Sequence, residues 1–179
     1  MLVQRALPTP PSVRKSHSLY LVEAERQGIK ADRKMLYIGL EPASEHVAAT
    51  LRVHSGEDVV ARRKLMFANG VPVRIATSFF RADLFGDTRM VEPEFVRPSL
   101  QAAIEDLGYT FGRAEESLIA RRPTLFERET LDLEPDEWIV QILRTSYSTE
   151  GTPVHALETI CSATRHIFPI GQVAGTDEF

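Results

Sequence analysis

Ala68-Asn69-Gly70-Val71-Pro72-Val73 and Thr149-Glu150-Gly151-Thr152-Pro153-Val154 are two versions of one phrase, with their glycines 81 positions apart. Working outward, Thr50-Leu51-Arg52-Val53 matches Thr130-Leu131-Asp132-Leu133, and Gly28 matches Gly108, now at an offset of 80. One inserted residue, expected in the intervening strand, accounts for the difference. Residues 14–79 and 94–160 therefore read as one unit written twice. A repeat of this kind redefines the whole fold, because two similar halves usually pack about a pseudo-twofold axis. Clefts between or beside such halves are natural ligand sites.

Each copy runs helix, strand, short helix, strand, turn, strand. Leu100, Ala103, Ile104 and Leu107 fall at i, i+3, i+4 and i+7, which predicts an amphipathic helix stopped by Gly108. Its counterpart runs from about Ser18 to Gln27 and stops at Gly28. Strands follow around 34–40 and 115–121. Thr124 and Glu127 then have capping-box spacing, whereas Ser44 in the first copy faces Val47 where the glutamate would be. Two hairpins close the copies, about 58–80 and 138–160, with turns rich in Gly, Asn, Glu and Pro. Connections this short exclude parallel crossovers. The expected fold is α+β: about six strands in two antiparallel groups, with helices packed on one side, enclosing a cavity.

At 179 residues the chain has the length of one domain with a real core. A net charge of −4 makes the domain as a whole a poor electrostatic match for nucleic acid. The single cysteine, Cys161, excludes an internal disulfide and a Cys-based zinc site, and reads as a small buried hydrophobe. No apolar run approaches a membrane span, so no membrane partner is expected and the expected location is cytoplasmic. His17, His46, His54, His155 and His166 lack i, i+4 zinc spacing, and neither a glycine-rich phosphate loop nor a nucleophile elbow is present. No catalytic residue, metal or cofactor is assigned. Residues 1–13, with Leu7-Pro8-Thr9-Pro10-Pro11-Ser12 and Arg5, read as a Pro-rich basic linker or arm ahead of a domain over 14–179.

The informative residues are charges set into apolar strand faces. Arg63 alternates with Val59, Ala61, Leu65 and Phe67, and Arg144 with Trp138, Val140 and Ile142. Each lies seven residues before its turn glycine, so the two read as equivalents. A guanidinium there demands an anion, either a protein carboxylate or a ligand group. Arg62 and Lys64 share the opposite face with Val60 and Met66, as a phosphate clamp or a solvated face. Paired acids such as Glu115-Glu116 look like strand-edge charges. His155 follows Pro153-Val154 on the last hairpin strand, packed, exposed or functional.

From about Val13 to Phe168 the pattern resembles the UTRA effector-binding domain of the HutC/FarR branch of GntR-type transcription regulators, which shares the chorismate lyase fold. The resemblance rests on the run from Val60-Ala61-Arg62-Arg63-Lys64 to Asn69-Gly70-Val71-Pro72-Val73, on Ala76-Thr77-Ser78-Phe79-Phe80, and on Leu143-Arg144-Thr145-Ser146-Tyr147 with Gly151-Thr152-Pro153-Val154. Arg165 and Phe168 retain part of the family's closing run. The resemblance implies binding of a small anionic metabolite, with Lys64 and Arg62 as ligand-facing cations and Ser78, Ser99 and His155 setting orientation. Met66 replaces a second arginine of some relatives and His155 a frequent glutamate, which argues for a different ligand from a phosphosugar. The implied partners are the effector, a second copy in a homodimer, and DNA only through a winged helix-turn-helix. Nothing before Val13 reads as such a helix-turn-helix, so either a truncation or a free-standing relative is expected. Two alternatives stay open on the residues: a chorismate lyase-like enzyme using Arg63, Arg144 and Glu158, and a ligandless dimerisation module.

Overall fold

The computed structural model of the chain describes residues 3–4, 24 and 26–168. Its strands are β1 (Val3–Gln4), β2 (Ala31–Pro42), β3 (Asp58–Ala68), β4 (Val71–Arg81), β5 (Phe111–Arg121), β6 (Ile139–Ser148), β7 (Pro153–Ser162) and β8 (His166–Ile167). Asn69 and Gly70 turn β3 into β4 with φ of 51° and 81°, the left-handed pair that suits the twist of a tight hairpin. Gly151, at φ 83°, does the same between β6 and β7. In the first hairpin Phe67 faces Pro72, and in the second Tyr147 faces Pro153. The extra residue of the second copy therefore sits in the turn and not, as expected, in the strand. A turn absorbs an added residue locally, whereas in a strand it would flip the following side chains to the other face.

Six strands form one antiparallel sheet in the order β2-β3-β4-β7-β6-β5. The expectation of two groups is met only in the sense that each copy supplies three adjacent strands, which join edge to edge through β4 and β7. Thr77 pairs directly with Glu158, and those two residues are 81 apart in the repeat. The pseudo-twofold axis thus pierces the sheet at that pair. β1 and β8 make a separate parallel pair, Val3 opposite His166. The remainder of the proposed 1–13 linker and most of the Ser18–Gln27 helix lie outside the described residues, although Ala24 and Arg26 are helical and Gly28 follows at φ 67°.

Helices cover both faces of the sheet, a correction to the one-sided arrangement expected. On one face α1 (Glu45–Leu51) packs Val47, Ala48 and Leu51 on Val59, Ala61 and Phe79. On the other, after the short α2 (Ala82–Phe85) and a 3₁₀ turn at Arg89–Val91, α3 (Leu100–Asp106) packs Ala103 and Ile104 on Val60, Phe80, Phe85 and Met90. The last helix, α4 (Leu125–Thr130), leads into Leu131, which joins Leu65, Ile75, Ile139 and Ile160. Strands apolar on both faces need two covers. Thr124 and Glu127 complete the predicted capping box on α4, while Ser44 makes no side-chain cap on α1.

Candidate ligand-binding site

Directly paired residues in an antiparallel sheet point to one face, so register alone assembles the site. Arg62, Ser78, Leu157, Arg144 and Glu116 form a continuous row across β3, β4, β7, β6 and β5. The next row on that face is Lys64, Ala76, Thr159, Ile142 and Leu118. His155 stands opposite Ser146 and stacks on Phe80, with ring centroids 5.0 Å apart and planes within 10°. Ser99 caps α3, which rests on the same face, and its hydroxyl accepts from the Ala102 amide at 3.1 Å. Six of the seven sequence-derived candidates, all but Arg63, therefore belong to the α3 face.

Arg63 is on the opposite face, where it pairs with Thr77 and donates to Glu41 at 2.8 Å and 3.2 Å. Alternation requires this: one residue separates Arg63 from Lys64, so they cannot share a face. Register also changes its supposed equivalent. Lys64 faces Ala76, Arg144 faces Leu157, and both pairs are related by the repeat, so Arg144 corresponds to Lys64 and not to Arg63. Counting back from the turn glycine failed because the inserted turn residue shifts the count by one. The lyase alternative loses its geometry for the same reason, since Arg63 and Glu158 share the α1 face while Arg144 points through the other.

The cations of the α3 face differ in their commitments. Arg62, 4% exposed, donates to the carbonyls of Met90 at 2.7 Å, Glu92 at 2.8 Å and Glu94 at 2.5 Å. It pins the segment between β4 and α3 over the sheet. Arg144 lies 3.6 Å from Glu116, a loose pair at the rim. Lys64 makes no hydrogen bond or ion pair among the described residues. Burial, aided by the Arg33 and Arg62 guanidiniums, pushes its ammonium down to about 8. Burial, with Lys64 and Arg144 nearby, pushes the His155 imidazole down to about 3, so it is neutral at pH 7. Its Nε2 is buried without a partner. Buried polar atoms are nearly always satisfied, and an exception calls for a reason.

Sequence reasoning missed the neutralising partners, Glu41 and Glu116, and the segment at 90–94. Residues distant along the chain meet there through tertiary packing, and no local spacing signals it. Arg33, on β2 opposite Met66, was also missed; its guanidinium lies 4.1 Å from the Phe95 ring centroid, across from the same segment. Among the described residues no group of His, Cys, Asp and Glu could hold a metal ion.

A duplicated antiparallel sheet with helices on both faces places the chain in the α+β, chorismate lyase-like class. The chain belongs to the UTRA domain family, whose model matches residues 26–167, and resembles the ligand-binding effector domains of GntR-family transcription regulators. It is 33% identical over 137 residues to an uncharacterised HTH-type transcriptional regulator of Streptomyces coelicolor, a match covering 75% of this chain and 46% of the relative. The chain thus spans about half the length of that relative. Among solved structures it superposes on PhnF from Mycobacterium smegmatis with a TM-score of 0.76 and 21% identity, covering 97% of this chain and 73% of that one. The C-terminal domain of the histidine utilization repressor from Pseudomonas syringae gives a TM-score of 0.66 at 22% identity, covering 82% of this chain and 100% of that one. At such identities these likenesses speak for the fold alone.

Proposed function

We propose that the domain is a cytoplasmic sensor of a small anionic metabolite, of the HutC/FarR branch, which acts as a homodimer and adjusts the DNA affinity of a winged helix-turn-helix. The observation that carries this reading is Lys64, a half-buried cation without an anion, on one sheet face with the orphan Nε2 of His155. An isolated charge there costs stability and is kept where a ligand supplies the counter-charge. Lys64 holds the anionic group, Arg144 adds charge from the rim, and Ser78, Ser99 and His155 orient the remainder of the ligand. Arg62 contributes by holding the covering segment, because its donors are already committed to carbonyls. Arg63 has no part in the site.

Such a domain works by linkage: a ligand with unequal affinity for two arrangements of the dimer shifts their populations, typically by about 1–3 kcal/mol. The test is thermal melting against carboxylates, phosphosugars, amino acids and lipid-like acids. A binder at about 100 times its dissociation constant stabilises by about 2.7 kcal/mol. For a chain of this size that is a rise of roughly 5–10 °C. Lys64→Ala abolishes the rise while leaving a folded protein. A rise that survives Lys64→Ala, or no rise with any anion, overturns the reading.

A further inference from the structure

Of the chain's 21 lysines and arginines 17 are arginine, yet the unpartnered cation beside His155 is a lysine. Arg62 commits its donors to three carbonyls, Arg144 faces Glu116, and Arg33 lies over the Phe95 ring. Across the ladder Lys64 stands between Met35 and Ala76, and along β3 its neighbours on the same face are Arg62 and Met66. None of the four is an acid. An ammonium in such company has two remedies, an anion from outside or the loss of its proton. A guanidinium has only the first, because it stays charged at every pH a protein meets. Lysine therefore brings to this position something that anion binding alone does not need, a nucleophilic amine. With the ammonium pushed down to about 8, roughly a tenth of it is free amine at pH 7.

We propose that Lys64 captures the effector covalently, as an imine with the carbonyl of a short 2-oxo acid. This rests on the sensor reading above and names the class of ligand. The lone pair of Nζ attacks the carbonyl carbon, and the π pair of the C=O bond moves to oxygen. Both amine protons pass to that oxygen, which departs as water while the C=N bond forms. The imine then takes one proton from solvent and becomes an iminium. Counted from the ammonium, water is released and the charge on nitrogen is unchanged. The carbonyl has to adjoin the carboxylate, because Arg62 is committed and Arg144 is shared with Glu116. The iminium nitrogen is then itself the counter-charge that the carboxylate meets. The orphan Nε2 of His155 and the Ser78 hydroxyl, on the same face, are groups able to relay protons to the departing oxygen.

The experiment treats the 179-residue chain with pyruvate or glyoxylate in the presence of cyanoborohydride, which reduces an imine to a stable secondary amine. Intact mass counts the adducts and peptide mapping places them. The expected result is a single adduct at Lys64, in about tenfold or greater excess over the exposed Lys30 and Lys34, since a desolvated amine sheds its proton more readily. Lactate, with a hydroxyl where pyruvate has its carbonyl, gives no adduct. Lys64→Arg keeps the charge and an unchanged circular dichroism spectrum but forms none either. No adduct with either oxo acid, or adducts spread evenly over Lys30, Lys34 and Lys64, overturns the imine. The two readings fail separately. A melting rise with some anion that Lys64→Ala abolishes, without any trapped adduct, upholds the sensor and overturns the imine, whereas neither rise nor adduct overturns both.

Discussion

At the scale of single residues, Lys64 and Arg62 show why two adjacent cations on one face have different tasks. Lys64 titrates in the folded chain near 8, against about 10.4 for a free lysine. Between these values the folded state binds fewer protons than the unfolded one, so the apo domain gains stability as pH rises through that window. Anion binding needs the ammonium, so affinity has the opposite trend and falls up to tenfold per pH unit above about 8. Calorimetry from pH 7 to 10 checks both signs. Lys64→Met stabilises the apo domain by about 1–3 kcal/mol and removes binding, as expected when an unpaired cation is replaced by an isostere. Arg62→Met, by contrast, leaves three carbonyls without their donor and costs about 2–4 kcal/mol in urea unfolding.

At the scale of elements, the two copies offer an internal control. The Thr124 hydroxyl accepts from the Glu127 amide and the Glu127 carboxylate accepts from the Thr124 amide, whereas Ser44 makes no cap bond. Thr124→Ala therefore costs about 1 kcal/mol and Ser44→Ala only a few tenths, measured by chemical denaturation. The turns behave alike in both copies. An added Cβ at Gly70 or Gly151 meets nothing within 4 Å, so Ala at either position is penalised by the positive φ alone, by about 1 kcal/mol. The capping box, the α3 stripe and both hairpins were legible because each is written in adjacent residues. The course of the covering segment between β4 and α3 was not, because its anchor is a guanidinium nearly thirty residues upstream.

At the scale of the molecule, the two buried imidazoles determine acid behaviour. His155 is pushed down to about 3 and His166, buried with its Nε2 accepting from Arg74 Nε at 3.2 Å, to about 4. Both folded values lie below the ordinary 6.5, so their contribution is complete above pH 6.5 and is lost as pH falls toward the folded values. About 1–2 kcal/mol per histidine disappears by pH 5. A fall in melting temperature between pH 7 and 5, reduced in His166→Gln, is the expected result. The repeat made the antiparallel α+β fold legible, though not the helices on both faces or the joining of the copies into one sheet. Six of the seven site candidates belong to the α3 face, five of them through sheet register and Ser99 through the helix it caps. The seventh, Arg63, takes the other partner the sequence left open to it, a protein carboxylate, which Glu41 supplies from the neighbouring strand.

What the sequence determined by itself is the duplication, the strand alternation and hence which side chains share a face, because periodicity two is a property of the extended chain. What only the tertiary structure decided is which cations are already neutralised. Counter-charges arrive from other strands and loops across the sheet, and Lys64 is distinguished from Arg62, Arg63 and Arg144 by what surrounds it rather than by its own position.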